Sequence, residues 1–269
     1  MATTDHPSQP PLPSVPSRRG LLQGGILAGA GLAALVSRPG AANAAAPCTT
    51  DIYSILETLL AAERISIALY YTALTTKAVV GHPYLAGTSA DPSHVASNGS
   101  RVNVACLQAA LDQERQHAAI LTQHGAGAVA LKSIPLQFYF PAATFGGLGY
   151  TSLPHTFLGV LDHLETTVIG LYLSAISRFA VAKRADLALL ATRMLGPECQ
   201  HRTIGRVIAG DTPANNMALQ VGQFSCPDDA AAALTRYLTG HGFDTEATAP
   251  ISLPQDAAIT AIIGKNSSR

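Results

Sequence analysis

The sequence predicts an all-α protein in which long amphipathic helices pack around a sizeable apolar core. Of its 269 residues, 48% are hydrophobic and 13% are charged, which is ample apolar content for a core. Ala and Leu are the most frequent residues and Trp is absent, a composition that favours helices. Four segments repeat apolar residues at intervals of three and four, as the buried face of a helix does.

The four segments set the order and the connections of the predicted helices. They cover about residues 50–79, 101–124, 155–181 and 185–209. A Gly- and Ser-rich loop joins the first two segments. Residues 125–154 are long enough to cross along a bundle, whereas the short link at 182–184 makes the last two helices antiparallel neighbours. The predicted architecture is a four-helix bundle at 45–210, with a long crossover between helices 2 and 3, followed by a helical and loop-rich C-terminal extension at 211–269.

The first 44 residues have the layout of an export signal. Arg18 and Arg19 stand before an uncharged run to Val36, and the small residues Ala42-Asn43-Ala44 follow. This layout is typical of a signal peptide, and the paired arginines resemble a twin-arginine signal. We therefore expect cleavage after residue 44 and a periplasmic or secreted protein. The alternative is a membrane anchor, but the run has about 16–18 residues where a span needs about 20, and each later apolar stretch is interrupted by charge.

The second half of the predicted bundle repeats the pattern of the first. Aligning Glu63 with Glu165 pairs Leu56, Leu59, Ile67, Leu69 and Tyr70 with Leu158, Leu161, Ile169, Leu171 and Tyr172. The next helices align as DQERQHAAIL and GPECQHRTIG, which pairs Glu114 and His117 with Glu198 and His201. Each half therefore has one helix with an isolated Glu and one helix with Glu-x-x-His.

Such a pattern indicates a metal site. Residues three apart lie on one face of a helix, so each Glu-x-x-His aims one oxygen and one nitrogen at the same point. Four carboxylates buried without compensation would carry a charge of about minus four, at a prohibitive cost, and two divalent cations would cancel it. Carboxylate and imidazole ligands suit iron, manganese or zinc.

These residues resemble the ferritin-like di-iron carboxylate superfamily over about residues 50–210. The resemblance implies two bound iron ions, with manganese as the alternative. It assigns the metal ligands as Glu63, Glu114, His117, Glu165, Glu198 and His201. Glu114 and Glu198 would bridge or chelate both metals, each histidine would cap one metal, and the other two carboxylates would be terminal.

Tyr70 and Tyr172 lie seven residues after Glu63 and Glu165, on the same helix face. In the superfamily that the sequence resembles, a tyrosine at this position often donates a hydrogen bond to a ligand carboxylate. The other interpretation is that both are ordinary core aromatics, and the sequence leaves the choice open.

Four cysteines in an exported chain allow three pairings. In the bundle that the resemblance implies, Cys106 lies about 12 Å along its helix from the metal level, and Cys199 stays near that level. Their separation would exceed the limit of about 7 Å for a disulfide. Cys48 and Cys226, both in loop-like contexts, are therefore the expected pair.

The resemblance implies that the bound metals react with dioxygen or peroxide, in a ferroxidase, a peroxide scavenger or an oxidase. With manganese, catalase-type dismutation would be expected instead. The alternative is a non-catalytic stress or desiccation-related protein, or an envelope-associated one, with a structural or relic metal site. A formal net charge of zero without a basic cluster argues against nucleic-acid binding. Low charge and an apolar tail suggest association as a homodimer.

Overall fold

The structure is a computed structural model that describes residues 48–86, 99–127, 136–220 and 222–263. The predicted export signal at residues 1–44 lies outside the described residues and stays a prediction. The described helices are α1 Ile52–Thr75, α2 Lys77–Val80, α3 Pro83–Ala86, α4 Gly99–Gln123, α5 Phe157–Val181, α6 Ala185–Ala209, α7 Pro227–Thr239 and α8 Asp256–Ile263. Two short strands, β1 Gln137–Phe138 and β2 Ile251–Ser252, pair antiparallel. The prediction of a mostly helical protein is confirmed.

The four long helices α1, α4, α5 and α6 surround the core. Helix α1 packs against α4 and α5, and α6 packs against the same two helices. Their facing sides bury large apolar side chains, among them Leu56, Leu59, Leu161 and Leu164. Burial of such side chains contributes about 1.5–3 kcal/mol each, so this shared core holds the four helices in place.

Helix α1 shows how local chemistry sets the ends of a helix. It begins after Asp51, whose carboxylate accepts hydrogen bonds from the backbone N–H groups of Tyr53 and Ser54. The predicted segment continued to residue 79, but the helix ends at Thr75. The hydroxyls of Thr75 and Thr76 donate to the backbone carbonyls of Tyr71 and Thr72, and the backbone of Thr76 is extended, with ψ of 118°, which ends the helix. The chain then turns into the separate helix α2.

The C-terminal segment packs on the long helices. Helix α7 lies against α1 and α5, and α8 lies against α4. Strand β2 pairs with β1, which precedes α5 in the chain, so the backbone of this segment is tied to the α4–α5 connection. A disulfide between Cys48 and Cys226 links the residues before α1 to the start of α7, while Cys106 and Cys199 are free thiols.

Helix α5 is long and apolar enough to cross a membrane by length and composition, with a mean hydropathy of 1.2 in its most apolar window. This corrects the expectation that every apolar segment after the predicted export signal is too interrupted by charge to cross a membrane. In the structure 61% of that window is buried. The helix thus has the burial of a core helix, and its apolar character is explained by the packing around it.

Candidate metal centre

The six predicted ligand residues all lie on the facing sides of the four long helices. Glu63 is on α1, Glu114 and His117 on α4, Glu165 on α5, and Glu198 and His201 on α6. All six are buried, and the most exposed of them, His117, is only 7% exposed. The amphipathic pattern that buries the leucines thus carries these polar side chains into the core as well.

The ligand atoms form two groups of four, with the atoms of each group within 4.8 Å of one another. The first group is Glu63, Glu114, His117 and Glu198, and the second is Glu114, Glu165, Glu198 and His201. Glu114 and Glu198 belong to both groups. Each group offers three carboxylates and one imidazole, a donor set that suits a divalent transition metal.

Both imidazoles direct Nδ1 at carboxylates from more than one helix. Nδ1 of His117 lies 2.8 Å from Glu198 Oε1 and 3.3 Å from Glu63 Oε2. Nδ1 of His201 lies 3.0 Å from Glu114 Oε1 and 3.4 Å from Glu198 Oε2. The donor atoms of three helices therefore converge around each imidazole nitrogen.

The two tyrosines contact the carboxylates in a crossed arrangement. The Tyr70 hydroxyl on α1 donates to Glu165 Oε1 on α5 at 2.9 Å, and the Tyr172 hydroxyl on α5 donates to Glu63 Oε1 on α1. Burial, together with the nearby carboxylates, raises the pKa of both phenols well above the usual value. Both therefore stay protonated at neutral pH and hold a carboxylate of the opposite helix in place.

Burial and charge shift the pKa values of the site residues strongly. Burial first, and then the neighbouring carboxylates, raise the pKa values of Glu114 and Glu165 well above their usual range. Burial alone would raise the pKa of Glu198, but the two imidazoles lower it to about 2. Burial alone would lower the pKa of His117, but Glu63 and Glu198 raise it to about 10. Without a cation, the site thus compensates its charge by binding protons.

Several carboxylate oxygens still lack a hydrogen bond. Glu114 Oε2, Glu165 Oε2 and both oxygens of Glu198 are buried and have no hydrogen-bond partner within the described part of the chain. The approach of the His117 ring to Glu198 is close but lacks the alignment of a hydrogen bond. Unsatisfied buried carboxylate oxygens are costly, and a cation among them would satisfy them. The residues present therefore fit a metal ion.

Gln113 contacts a candidate metal ligand, and the sequence pattern did not reveal it. Its Oε1 lies 2.7 Å from Nε2 of His201. An amide oxygen can only accept a hydrogen bond, so Nε2 donates to Gln113, and Nδ1 is the ring nitrogen that faces the carboxylates and would ligate a metal. This is the arrangement that a metal ligand needs, and such partners orient the ligand. Pro197 occupies the matching position in the repeat, so the alignment gave no sign of this role.

We expect Gln113→Leu to weaken metal binding by about 10–100-fold, because His201 loses the partner that fixes its tautomer. Titration of the metal-free protein with cobalt(II) against a chromophoric chelator would measure the change. The matched control is Gln116→Leu on the same helix, since the Gln116 amide donates to Asp112 Oδ2 at 2.9 Å and forms no side-chain hydrogen bond to a candidate ligand among the described residues. Equal affinity in Gln113→Leu and the unmodified chain would show that Gln113 does not orient the imidazole.

The structure thus shows buried Glu and His groups that are close enough to hold a metal ion. Searches against protein-family models, curated proteins and solved structures found no match to the chain. The interpretation of this site therefore rests on its own side-chain geometry.

Proposed function

We propose that the chain is an exported ferritin-like protein that binds two iron or manganese ions and reacts them with dioxygen or peroxide. One observation carries the proposal: two four-residue ligand groups share Glu114 and Glu198. Carboxylates common to both groups would hold two metals close enough to act on one small substrate. Four mutually packed long helices, each contributing inward ligands, support a ferritin-like bundle.

Each ligand residue has a distinct place in the proposed site. Glu114 and Glu198 would serve both metals, while His117 and His201 would each complete one group. Glu63 and Glu165 belong to one group each, and the tyrosine hydroxyls fix their orientation. When bound, the metal pair would supply the electrons for reducing dioxygen or peroxide, or the redox cycling for dismutating peroxide.

The protein around the proposed site controls access and protons. Burial of all six ligand residues excludes bulk water, and only small molecules would reach the carboxylates. His117 is 7% exposed and His201 is 1% exposed, so the His117 side is the more accessible. The protonated hydroxyls of Tyr70 and Tyr172 place a proton next to Glu165 and Glu63, on opposite sides of the ligand cluster.

The export part of the proposal rests on the sequence of residues 1–44. The Cys48–Cys226 disulfide supports it, because disulfides persist in oxidising compartments such as the periplasm.

The direct test begins with metal content. The chain would be expressed with its own N-terminal segment, recovered from the periplasm without chelators, and assayed for iron, manganese and zinc. We expect about two iron or manganese ions per chain, and consumption of dioxygen or peroxide that depends on them. A folded, helical protein that binds none of these metals on titration would overturn the proposal.

A second candidate is a non-catalytic stress or envelope protein with a structural or relic site. The observation that favours it is the ability of the metal-free site to reduce its own charge through a protonated His117 and the raised pKa values of Glu114 and Glu165. Turnover separates the two candidates. A metal-loaded protein that consumes neither dioxygen nor peroxide would favour the second.

We predict that metal affinity rises with pH between about 5.5 and 8, because ligands must lose their protons to bind. The pKa of His117 is raised to about 10, and the pKa values of Glu114 and Glu165 are raised by burial and neighbouring carboxylates. The metal-free site therefore holds protons throughout this window, and metal binding releases them. Calorimetric titrations in buffers of different ionisation enthalpy would count these protons. An affinity that is independent of pH would contradict the prediction.

A further inference from the structure

A cavity of about 420 Å³ lies between α1, α4 and the segment that leads into α8. Residues that line it include Leu60, Arg64, Ile67, Arg115, Leu253 and Ile259. This volume falls in the range of small-molecule sites, about 300–1,000 Å³. None of the six proposed metal ligands lines the cavity, so it is a separate feature of the molecule.

The walls of this cavity are well anchored. Leu60, Arg64 and Ile67 follow the helical spacing of one face of α1. The opposite wall is fixed at both ends: Leu253 N–H donates to the carbonyl of Leu136 at 2.8 Å, and Gln108 on α4 donates to the Ile262 carbonyl at 2.8 Å. The walls of the cavity are therefore α1, α4 and the segment that leads into α8, and hydrogen bonds outside the cavity hold this last segment in place.

Arg64 is an uncompensated cation in this cavity. It is half-buried, and no hydrogen bond or ion pair joins its guanidinium to any residue of the described ranges. Arg115 differs, because its Nε and Nη2 both donate to Asp112 Oδ1, at 3.1 and 2.7 Å. Asp256 also lines the cavity but is exposed, and it forms no ion pair with either arginine among the described residues.

A ligand can compensate Arg64 where the protein does not. Partial burial of a guanidinium without a partner is unfavourable, and a carboxylate matches its planar donor geometry. Next to Arg64 the lining includes the largely buried aliphatic side chains of Leu60, Ile67 and Ile259, while Thr122 and Gln123 on α4 add polar groups to the same wall. We propose that this cavity binds a small organic carboxylate with an aliphatic chain, with the carboxylate on Arg64 and the chain against the three aliphatic side chains.

The proposal is tested on the full chain with octanoate as the probe, by isothermal titration calorimetry. We expect saturable binding of one octanoate per chain. The affinity for octan-1-ol, for octyltrimethylammonium and for acetate should be at least tenfold lower than the affinity for octanoate. The substitution Arg64→Gln should weaken octanoate binding at least tenfold. Arg193→Gln is the matched control, because Arg193 is an exposed arginine on α6 that does not line the cavity.

Each result decides the proposal. Absence of saturable octanoate binding overturns it, as does equal octanoate affinity of Arg64→Gln and the unmodified chain. If octyltrimethylammonium binds as tightly as octanoate, the proposed preference for an anion is wrong. If acetate binds as tightly as octanoate, the proposed contact of an aliphatic chain with the cavity is wrong. Thermal melting of Arg64→Gln establishes that the variant is folded, and Arg64→Lys, which keeps the charge but not the fork of donors, should bind octanoate with intermediate affinity.

Discussion

Glu198→Ala is expected to lower the metal content from about two ions per chain to fewer than about 0.2. Glu198 is common to both ligand groups, and its two oxygens lie 2.8 Å from Nδ1 of His117 and 3.4 Å from Nδ1 of His201. Loss of this carboxylate therefore removes a ligand from each group. Elemental analysis of the purified variant would measure the loss, with helical circular dichroism to confirm that the chain is folded.

Three further variants make this result specific. Glu63→Ala removes a ligand from the first group alone and should leave about one metal per chain. Glu57→Ala changes a carboxylate on the same helix that belongs to neither group, and it should leave the metal content unchanged. Glu198→Gln retains the shape of the side chain without its charge and should behave like Glu198→Ala. Full metal content in both Glu198 variants would mean that the two groups do not bind the metal.

The long helices could be predicted from sequence because each presents several turns of apolar residues. Helix α6 has the predicted bounds, Ala185–Ala209, since a short polar link precedes it and Gly210 ends it in the left-handed conformation, with φ of 81°. The proximity of the six Glu and His residues was predictable for a related reason. Their spacing follows the apolar pattern of the same helices, and the internal repeat places each half of the cluster at the matching position.

The remaining features depend on contacts that are distant in sequence. Strands β1 and β2 have two residues each, too few for any period, and they form because Phe138 pairs with Ile251 across the fold. The eight residues of α8 are also too few for a clear pattern. Gln113 acquires its role only when α4 and α6 bring it next to His201, and the crossed tyrosine contacts likewise require the packing of α1 on α5.

Removal of the Cys48–Cys226 disulfide is expected to destabilise the metal-free protein by about 5 kcal/mol, because the bond closes a loop with a sequence separation of 178. In a chain of this size that loss corresponds to a decrease in Tm of about 10–20 °C. The same region also holds a hydrogen bond from the Thr50 hydroxyl to Asp228 Oδ2 at 2.8 Å, which is too exposed to replace the covalent link.

Differential scanning calorimetry of Cys48→Ala/Cys226→Ala would measure this loss, beside Cys106→Ala as the control that removes a free thiol. A reductant should lower the Tm of the unmodified chain to that of the double variant and should leave the double variant unchanged. Comparison without metal is essential, because a bound ion stabilises the folded state by mass action and would hide part of the loss. A decrease below about 3 °C would mean that the unfolded chain is already restricted without the bond, since the stabilisation from a long loop arises mainly from the freedom it removes from the unfolded chain.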